Sequence, residues 1–353
     1  MVEQYSAIAL QTTTRNIETR ADCKRNLDHI CKVMKSAYMM GSLEFPVKLI
    51  TLGEGAIQGF TDSIFDWDHV KAARELHTTV PGEETAILAE KAREFQCYII
   101  GQVRAREPEF EDRFFNIAFI IDPKGEIIHK YHKLQMWPYE HSLTPHDVWD
   151  KWVELYGQDL NAFYPVADTE IGKIGTLVCM DGSYPETARG LALNGAEIIY
   201  RSTYPEPWVG FGWWEVQNRA RALDNSCYVI APSIAGRYQM GDADEPLDVH
   251  GHSMVVDYMG DVRSKRSTGG PSYVVGLIDI EALREYREKV LFGNWLKDLR
   301  MEQYRLMYDQ PIYPKNLYLN EPPGKRPERI AIYRRSIEAL KQRGIYTPTK
   351  RKG

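Results

Sequence analysis

Residues 174–189, IGTLVCMDGSYPETAR, join a short apolar run to a polar turn with a proline and then to a helical pattern. Cys179 closes the apolar run, so its thiol is predicted to lie at a strand-to-turn junction. The backbone N–H groups that follow such a junction can face the same point and bind an oxyanion. Cys179 is therefore a candidate nucleophile. The alternative is a buried cysteine that acts as a small apolar side chain.

Strand patterns alternate with helical patterns on both sides of this stretch. Apolar, β-branched runs predict strands at residues 5–11, 47–52, 97–103, 114–121, 126–131, 173–179, 196–201, 228–232, 253–257 and 273–280. Apolar residues at steps of three and four predict helices at 19–40, 83–95, 184–194 and 213–225. This alternation is typical of a layered α/β fold in which helices cover the sheets.

The strand patterns stop near residue 281, which divides the chain into two predicted parts. Residues 1–282 form a catalytic layer, and residues 283–353 form a C-terminal extension rich in Tyr and Pro. Residues 324–353 carry ten Lys and Arg against two Glu, about +8, while the chain as a whole carries −5. An acidic body with a basic extension favours an oligomerisation arm that wraps a second copy. A solvated tail is the alternative.

Composition excludes several function classes. A net charge of −5 and the lack of a nucleic-acid-binding motif argue against a nucleic-acid partner. We find neither a signal-peptide pattern near the first residue nor an apolar run long enough to cross a membrane. Five cysteines, an odd number without a CxxC pair, indicate thiols in a reducing, cytoplasmic setting rather than disulfides or a zinc site.

Two charged residues follow predicted strands in the same way as Cys179. Glu54 comes after the strand at 47–52, and Lys133 comes after the strand at 126–131. Strand ends on one side of an α/β sheet are where reactive groups converge. Each residue alone is an ordinary solvated side chain, but the three together predict one site with a nucleophile, a carboxylate base and a lysine.

These motifs resemble the nitrilase, or carbon–nitrogen hydrolase, superfamily and are most similar to its aliphatic amidase and formamidase branch. Glu54 in EGAIQG, Lys133 in YHK and Cys179 in CMDGSYPE match the catalytic motifs in order, and Glu140 in WPYE matches the second glutamate. The resemblance covers about residues 5–280. It implies an α/β fold, a four-layer αββα sandwich of the nitrilase type, followed by the extension.

The resemblance also implies a reaction. Such an amidase hydrolyses a carboxamide to a carboxylic acid and ammonia through a thioester on Cys179, with Glu54 as general base. Lys133 and the backbone N–H of Met180 stabilise the oxyanion, and Glu140 orients Lys133 or the substrate nitrogen. No metal or organic cofactor is implied. Relatives assemble through C-terminal arms, which implies a homo-oligomer, a dimer or a multiple of dimers.

Substrate preference follows from two further positions. Met180-Asp181 stands where true nitrilases carry Trp-Glu, which favours amides over nitriles. Gly55 replaces the bulky aromatic that follows the first glutamate in small-amide relatives, which predicts a wider pocket and a preference for aryl or branched amides over formamide. Aromatic side chains, with Trp137 and Tyr204 foremost, are predicted to line it or else to pack in the core or an interface: Trp137, Tyr139, Tyr204, Trp208, Phe211, Trp213 and Trp214.

Two other functions stay open at this point. An N-carbamoyl amino acid or amine amidohydrolase of the same superfamily would use the same residues and would release CO₂ with ammonia. A non-catalytic interaction scaffold belongs to a different class of protein. A scaffold has no need to keep Glu54, Lys133 and Cys179 together, so the enzyme is favoured.

Overall fold

Two six-stranded sheets contain most of the predicted strands in the computed structural model, which describes residues 1–204, 212–238, 248–249 and 251–351. The strands of the first sheet, from edge to edge, are β15 (Ser272–Ile278), β1 (Tyr5–Gln11), β3 (Val47–Thr51), β4 (Tyr98–Ala105), β5 (Phe115–Ile121) and β6 (Ile127–His132). Strands β1, β3 and β4 are parallel, and the outer strands pair antiparallel.

The second sheet repeats this plan. Its strands, from edge to edge, are β14 (Val262–Lys265), β13 (Met254–Val256), β10 (Tyr228–Ala231), β9 (Ile198–Ser202), β8 (Gly172–Val178) and β7 (Val166–Thr169). Strands β8, β9 and β10 are parallel, again with antiparallel neighbours outside them. A small third sheet joins β12 (Asp248–Val249), β11 (Gly236–Tyr238) and β2 (Thr13–Arg15).

Helices cover the outer faces of both large sheets. In chain order the described helices are α1 (Cys23–Gly41), α2 (Thr61–Ile64), α3 (His69–Glu75), α4 (Glu83–Phe95), α5 (Trp149–Tyr156), α6 (Leu160–Phe163), α7 (Pro185–Leu193), α8 (Trp213–Asn225), α9 (Ile280–Lys289), α10 (Met301–Tyr308) and α11 (Arg326–Gln342). Helices α1 and α4 pack on the first sheet, and α7 and α8 pack on the second.

The period-two pattern of β1 shows how the layers form. Ile8 and Leu10 face α1 and its neighbours, whereas Ala7 and Ala9 face the second sheet. The small side chains let the two sheets approach, and both sets are fully buried. This arrangement confirms the predicted four-layer αββα sandwich.

The C-terminal extension contains helices α10 and α11 and most of α9. The predicted division at residue 282 falls inside α9. Helix α11 packs against the chain's own first sheet layer through buried Ile332 and Arg329. Residues 291–308 instead expose large apolar side chains, among them Leu291, Phe292 and Leu306. An oligomerisation arm and a homo-oligomer remain predictions.

The sequence predicts that no segment of the chain crosses a membrane. Across the described ranges, we find no helix that is both long enough and apolar enough to cross a bilayer. The cytoplasmic location remains a prediction.

Candidate active site

Cys179 lies directly after the last residue of β8 and opens a 3₁₀ turn, Cys179–Ser183, that leads into α7. The structure therefore confirms the predicted strand-to-turn junction. The backbone of Cys179 has φ of 49°, in the left-handed region, which costs a residue with a side chain about 1–3 kcal/mol. The thiol is half-buried. Strain of this kind is found where a side chain must be held for function.

Lys133, Glu54 and Glu140 form one buried cluster. The Nζ atom of Lys133 donates to Oε1 of Glu54 at 3.0 Å and to Oε2 of Glu140 at 2.6 Å. All three residues are at most 3% exposed. An ammonium group has three donors, so two are used here and the third is available to a bound oxygen. The structure thus brings together the lysine and both glutamates that the sequence singled out.

Asn116, inside strand β5, bridges the two glutamates. Its Nδ2 donates to Oε1 of Glu54 at 2.9 Å and to Oε1 of Glu140 at 2.8 Å. Its Oδ1 accepts from Gln102 at 2.7 Å, which fixes the orientation of the amide. Ser142 Oγ adds a further donor to Oε1 of Glu140 at 2.7 Å. The carboxylates therefore have hydrogen-bond partners on each side of the lysine, as buried charges require.

Lys133 and Glu140 stabilise each other's ionised form. Burial opposes ionisation of Lys133, but the carboxylates of Glu140 and Glu54 outweigh it and raise the pKa of Lys133 well above its usual value. Burial also opposes ionisation of Glu140, yet Lys133 and Arg104 lower its pKa. Lys133 is therefore an ammonium and Glu140 a carboxylate throughout the neutral pH range.

Two consecutive residues connect the thiol to the first glutamate. The hydroxyl of Thr203 lies 3.4 Å from Sγ of Cys179. The backbone N–H of Tyr204, the next residue, donates to Oε2 of Glu54 at 2.9 Å. Because Thr203 and Tyr204 directly follow β9, this strand end places Glu54 of the first sheet beside Cys179 of the second.

Asp181 ties the nucleophile turn to the segment that carries Lys133. Its carboxylate accepts hydrogen bonds from the backbone N–H groups of Val178, Leu134 and Gln135 at 3.0, 3.0 and 2.7 Å. The hydroxyl of Tyr131 donates a fourth at 2.8 Å. Both sides of the site thus depend on one buried carboxylate. Burial raises the pKa of Asp181 to about 6.

We expect activity to fall as Asp181 takes up a proton. Four donors surround the carboxylate, and only the ionised form accepts from all of them. Because its pKa is about 6, the ionised fraction drops about tenfold per pH unit below that value. A pH profile of kcat/KM should therefore show an acid limb near pH 6. Asp181→Asn should move this limb, and an unmoved limb would assign it to another group.

The predicted oxyanion and substrate-binding residues lie around this cluster. Met180 follows Cys179 within the 3₁₀ turn, and Trp137 lies in the same loop as Glu140. Trp137 is half exposed and packs on Tyr139, with ring centroids 4.7 Å apart. The ring of Tyr204 packs on Phe60, also at the site, with a centroid distance of 4.3 Å.

The other predicted aromatic residues divide into three groups. Trp214 is buried in the core, where its indole N–H donates to the backbone oxygen of His252 and its ring faces Arg201. For Trp214 the structure therefore supports core packing, one of the two predicted alternatives. Trp213, at the start of α8, is half exposed. Trp208 and Phe211 lie outside the described residues.

The prediction that Gly55 leaves a wider pocket is wrong. A Cβ atom at Gly55 would lie 2.5 Å from a ring carbon of Phe60 and 2.8 Å from a ring carbon of Tyr204. The φ of Gly55 is +70°, a conformation that favours glycine. Gly55 therefore lets the backbone turn under two packed rings, and the space that a side chain would take is already filled.

The other cysteines and candidate metal ligands lack the features of this site. Burial raises the pKa of Cys23 and of Cys97 to about 12 and that of Cys227 to about 11. Cys31 is partly exposed and lies in helix α1. Within the ranges that the structure describes, no group of three or more His, Cys, Asp and Glu side chains is placed to hold a metal ion. The need for no cofactor stays a prediction.

Fold and site together define a hydrolase that acts on carbon–nitrogen bonds. The carbon–nitrogen hydrolase family matches residues 8–288 of the chain. The chain therefore belongs to the carbon–nitrogen hydrolase family, and the predicted membership of the nitrilase superfamily is confirmed.

Named relatives place it beside amidases and formamidases. The human deaminated glutathione amidase is 29% identical over 323 residues, which cover 83% of this chain and 92% of that protein. A formamidase of Bacillus cereus strain Q1 is 30% identical over 237 residues, or 67% of this chain and 64% of the relative. The crystal structure of Saccharomyces cerevisiae Nit3, a member of branch 10 of the nitrilase superfamily, shares the fold with a TM-score of 0.65. Its sequence is 22% identical, over 84% of this chain and 97% of Nit3.

Proposed function

We propose that the protein is an amidase that hydrolyses a linear carboxamide of a small molecule to a carboxylic acid and ammonia through a thioester on Cys179. The observation that carries this proposal is the buried cluster in which Lys133 contacts both Glu54 and Glu140. Thr203 and Tyr204 join that cluster to the thiol. The amidase and formamidase relatives support the same reaction.

The first half of the reaction forms the thioester. Glu54 takes the proton of the Cys179 thiol while Sγ bonds to the amide carbon, and the carbonyl electron pair moves to oxygen. The third N–H of Lys133 and the backbone N–H of Met180 bind the oxyanion. The carbon–nitrogen bond then breaks, the nitrogen takes the proton from Glu54, and ammonia leaves.

The second half releases the acid. A water molecule gives a proton to Glu54 as its oxygen bonds to the thioester carbon, which forms a second oxyanion at the same donors. The carbon–sulfur bond breaks, the carboxylic acid leaves, and the Cys179 thiolate takes the proton back from Glu54. Glu140 holds Lys133 in position in both halves through its 2.6 Å contact.

The named relatives and the residues of the site bear on the two competing functions. An N-carbamoyl amidohydrolase would use the same cluster, but the named relatives are an amidase and a formamidase. A scaffold would not need a strained half-buried thiol beside a buried lysine with two glutamates. The relatives favour carboxamide hydrolysis over the carbamoyl function, and the thiol with its cluster favours an enzyme over a scaffold.

Ammonia release from a substrate panel tests the proposal. Formamide, isobutyramide and benzamide represent primary carboxamides, whose hydrolysis releases ammonia, and an N-carbamoyl amino acid represents the alternative. We expect kcat/KM of about 10⁴ M⁻¹ s⁻¹ or more for the best carboxamide, a usual value for an enzyme on its own substrate. We expect at least about tenfold less for the carbamoyl compound, which is about 1.4 kcal/mol in transition-state binding.

A thioester on the protein adds the mass of the acyl group, which mass spectrometry can detect. Intact mass after rapid quenching should show the acyl adduct, and peptide mapping should place it on Cys179. CO₂ release that exceeds carboxamide hydrolysis would support the carbamoyl function instead. No ammonia from any member of the panel would argue against both hydrolases.

A further inference from the structure

The C-terminal helix α11 contacts the loop that carries Glu140. We call residues 134–142 the catalytic loop. Along α11, Arg326, Arg329 and Tyr333 are three and four residues apart and therefore lie on one face of the helix. All three contact the catalytic loop. The extension that the sequence assigns to self-association thus reaches the chain's own active site.

Arg329 makes the strongest of these contacts. Its Nη1 donates to the backbone oxygen of Glu140 at 2.7 Å and its Nη2 to the backbone oxygen of His141 at 2.8 Å. Its Nε donates to the backbone oxygen of Gly324 at 3.2 Å. The side chain therefore binds two consecutive peptide groups of the catalytic loop, one of them that of Glu140 itself.

Arg326 and Tyr333 extend the contact to both sides of Arg329. The guanidinium of Arg326 lies 5.3 Å from the ring centre of Tyr139 and donates to the backbone oxygen of Ser63. Ser63 Oγ in turn accepts from the backbone N–H of His141 at 3.1 Å. The hydroxyl of Tyr333 lies 3.3 Å from the backbone oxygen of Met136. Helix α11 thus holds the loop at three places.

The burial of the Arg329 side chain argues against a role that is only to anchor helix α11. The side chain is 4% exposed, and a buried guanidinium is costly unless its donors are used. Its hydrogen bonds go to backbone oxygens of the catalytic loop and of Gly324. An apolar side chain could anchor α11, as Ile332 does, but it could not fix two peptide oxygens of the loop.

We propose that Arg329 is a positioning residue that sets the geometry of Glu140, and through it of Lys133, so that helix α11 is part of the active site. The proposal rests on the proposed function for its effect on catalysis. Glu140 reaches Lys133 at 2.6 Å, and a misplacement of about 1 Å at such a contact costs about 10²-fold in rate. Arg329 touches neither substrate nor the reacting atoms.

Hydrogen exchange measures the positioning directly and does not depend on any substrate. In Arg329→Ala the backbone N–H groups of Glu140 and His141, which donate to the backbone oxygen of Trp137 and to Ser63 Oγ, should exchange at least about tenfold faster, because the loop opens more often without the Arg329 contacts. Arg334→Ala, an exposed arginine on the same helix, is the matched control and should change exchange less than about twofold. Equal exchange in the two variants would overturn the proposal, as would faster exchange spread evenly over the chain.

Kinetics on the best carboxamide of the panel measure the consequence. Arg329→Ala should lower kcat about 10²-fold with KM within about threefold, because Glu140 acts on the lysine that binds the oxyanion. Arg329→Lys keeps one donor for the loop and should recover about tenfold of that loss. An unchanged kcat in Arg329→Ala would overturn the proposal.

Two further experimental outcomes also test the proposal. If Arg329→Ala does not fold, Arg329→Lys and Tyr333→Phe carry the same exchange measurement, and an unchanged catalytic loop in both overturns the proposal. If the wild-type protein hydrolyses no amide, the proposed function fails, while the exchange of the catalytic loop still decides whether α11 positions it.

Discussion

Cys179→Ala should abolish amide hydrolysis, with kcat lowered by at least about 10³-fold, because the proposed thioester forms on the Cys179 sulfur and alanine has no nucleophile. The variant should keep the fold, since the side chain is half-buried against the core and loses one sulfur atom. The measurement is ammonia release from the best carboxamide, with thermal unfolding as a check on the fold.

Cys31→Ala is the matched control for that result. Cys31 is also partly exposed, but it lies in helix α1, away from the carboxylate–lysine cluster. Its replacement should leave kcat within about twofold, as surface changes usually do. Turnover retained in Cys179→Ala would contradict the covalent mechanism even if the protein proved to be an amidase.

Alkylation by iodoacetamide gives a second readout for the same residue. Burial raises the pKa of the Cys23 thiol to about 12, so at neutral pH very little of it is the reactive thiolate. Cys179 is half-buried and lies beside the ammonium of Lys133, which stabilises a thiolate. We expect peptide mapping to show Cys179 labelled well before Cys23. Similar rates at the two residues would support a scaffold.

The three site residues Glu54, Lys133 and Cys179 could be predicted from the sequence because each of them follows the end of a predicted strand. Glu54 and Cys179 follow buried parallel strands, and Lys133 follows the strand β6 at the sheet edge. Each strand was visible as an apolar run, and the packing of two sheets brings the ends together. Local pattern and overall fold agree at these positions, which is why they could be predicted.

Asn116 is not among the predicted site residues, although the sequence contains a pattern that indicates its role. It is the single polar residue in the run FNIAFII, which forms the fully buried strand β5. On strand β4, Gln102 and Arg104 interrupt a similar run, and Arg104 pairs with Asn116 across the strands. A polar residue in a buried strand needs a partner, so it marks a polar network.

Gly55 and Arg329 show what a single sequence could not supply. The space beside Gly55 depends on the rings of Phe60 and Tyr204, and Tyr204 is 149 positions further along the chain. Arg329 is 189 positions from Glu140, and its contact requires α11 to dock on the catalytic layer. Neither relation has a local pattern, because both arise from tertiary packing.

Lys133→Met should both inactivate and destabilise the protein. Lys133 is the cation between Glu54 and Glu140, and its removal leaves two buried carboxylates without their shared charge. Breaking a buried ion pair in this way costs about 3–5 kcal/mol in the free energy of unfolding. Loss of the oxyanion donor alone costs about 10²–10³-fold in kcat. Denaturant unfolding and ammonia release measure the two effects.

A second substitution separates the two effects. In Lys133→Met/Glu140→Gln one carboxylate becomes a neutral amide, so much of the repulsion between the two buried charges is removed. We expect the double variant to recover roughly half of the lost stability, about 2 kcal/mol, and none of the activity. Because Glu140 also belongs to the site, Glu140→Gln alone is the control, and Lys133 acts in the reaction if that single variant keeps more activity than the stabilised double variant. A double variant no more stable than Lys133→Met would show that carboxylate repulsion is not the source of the loss, and recovered turnover would remove Lys133 from the mechanism.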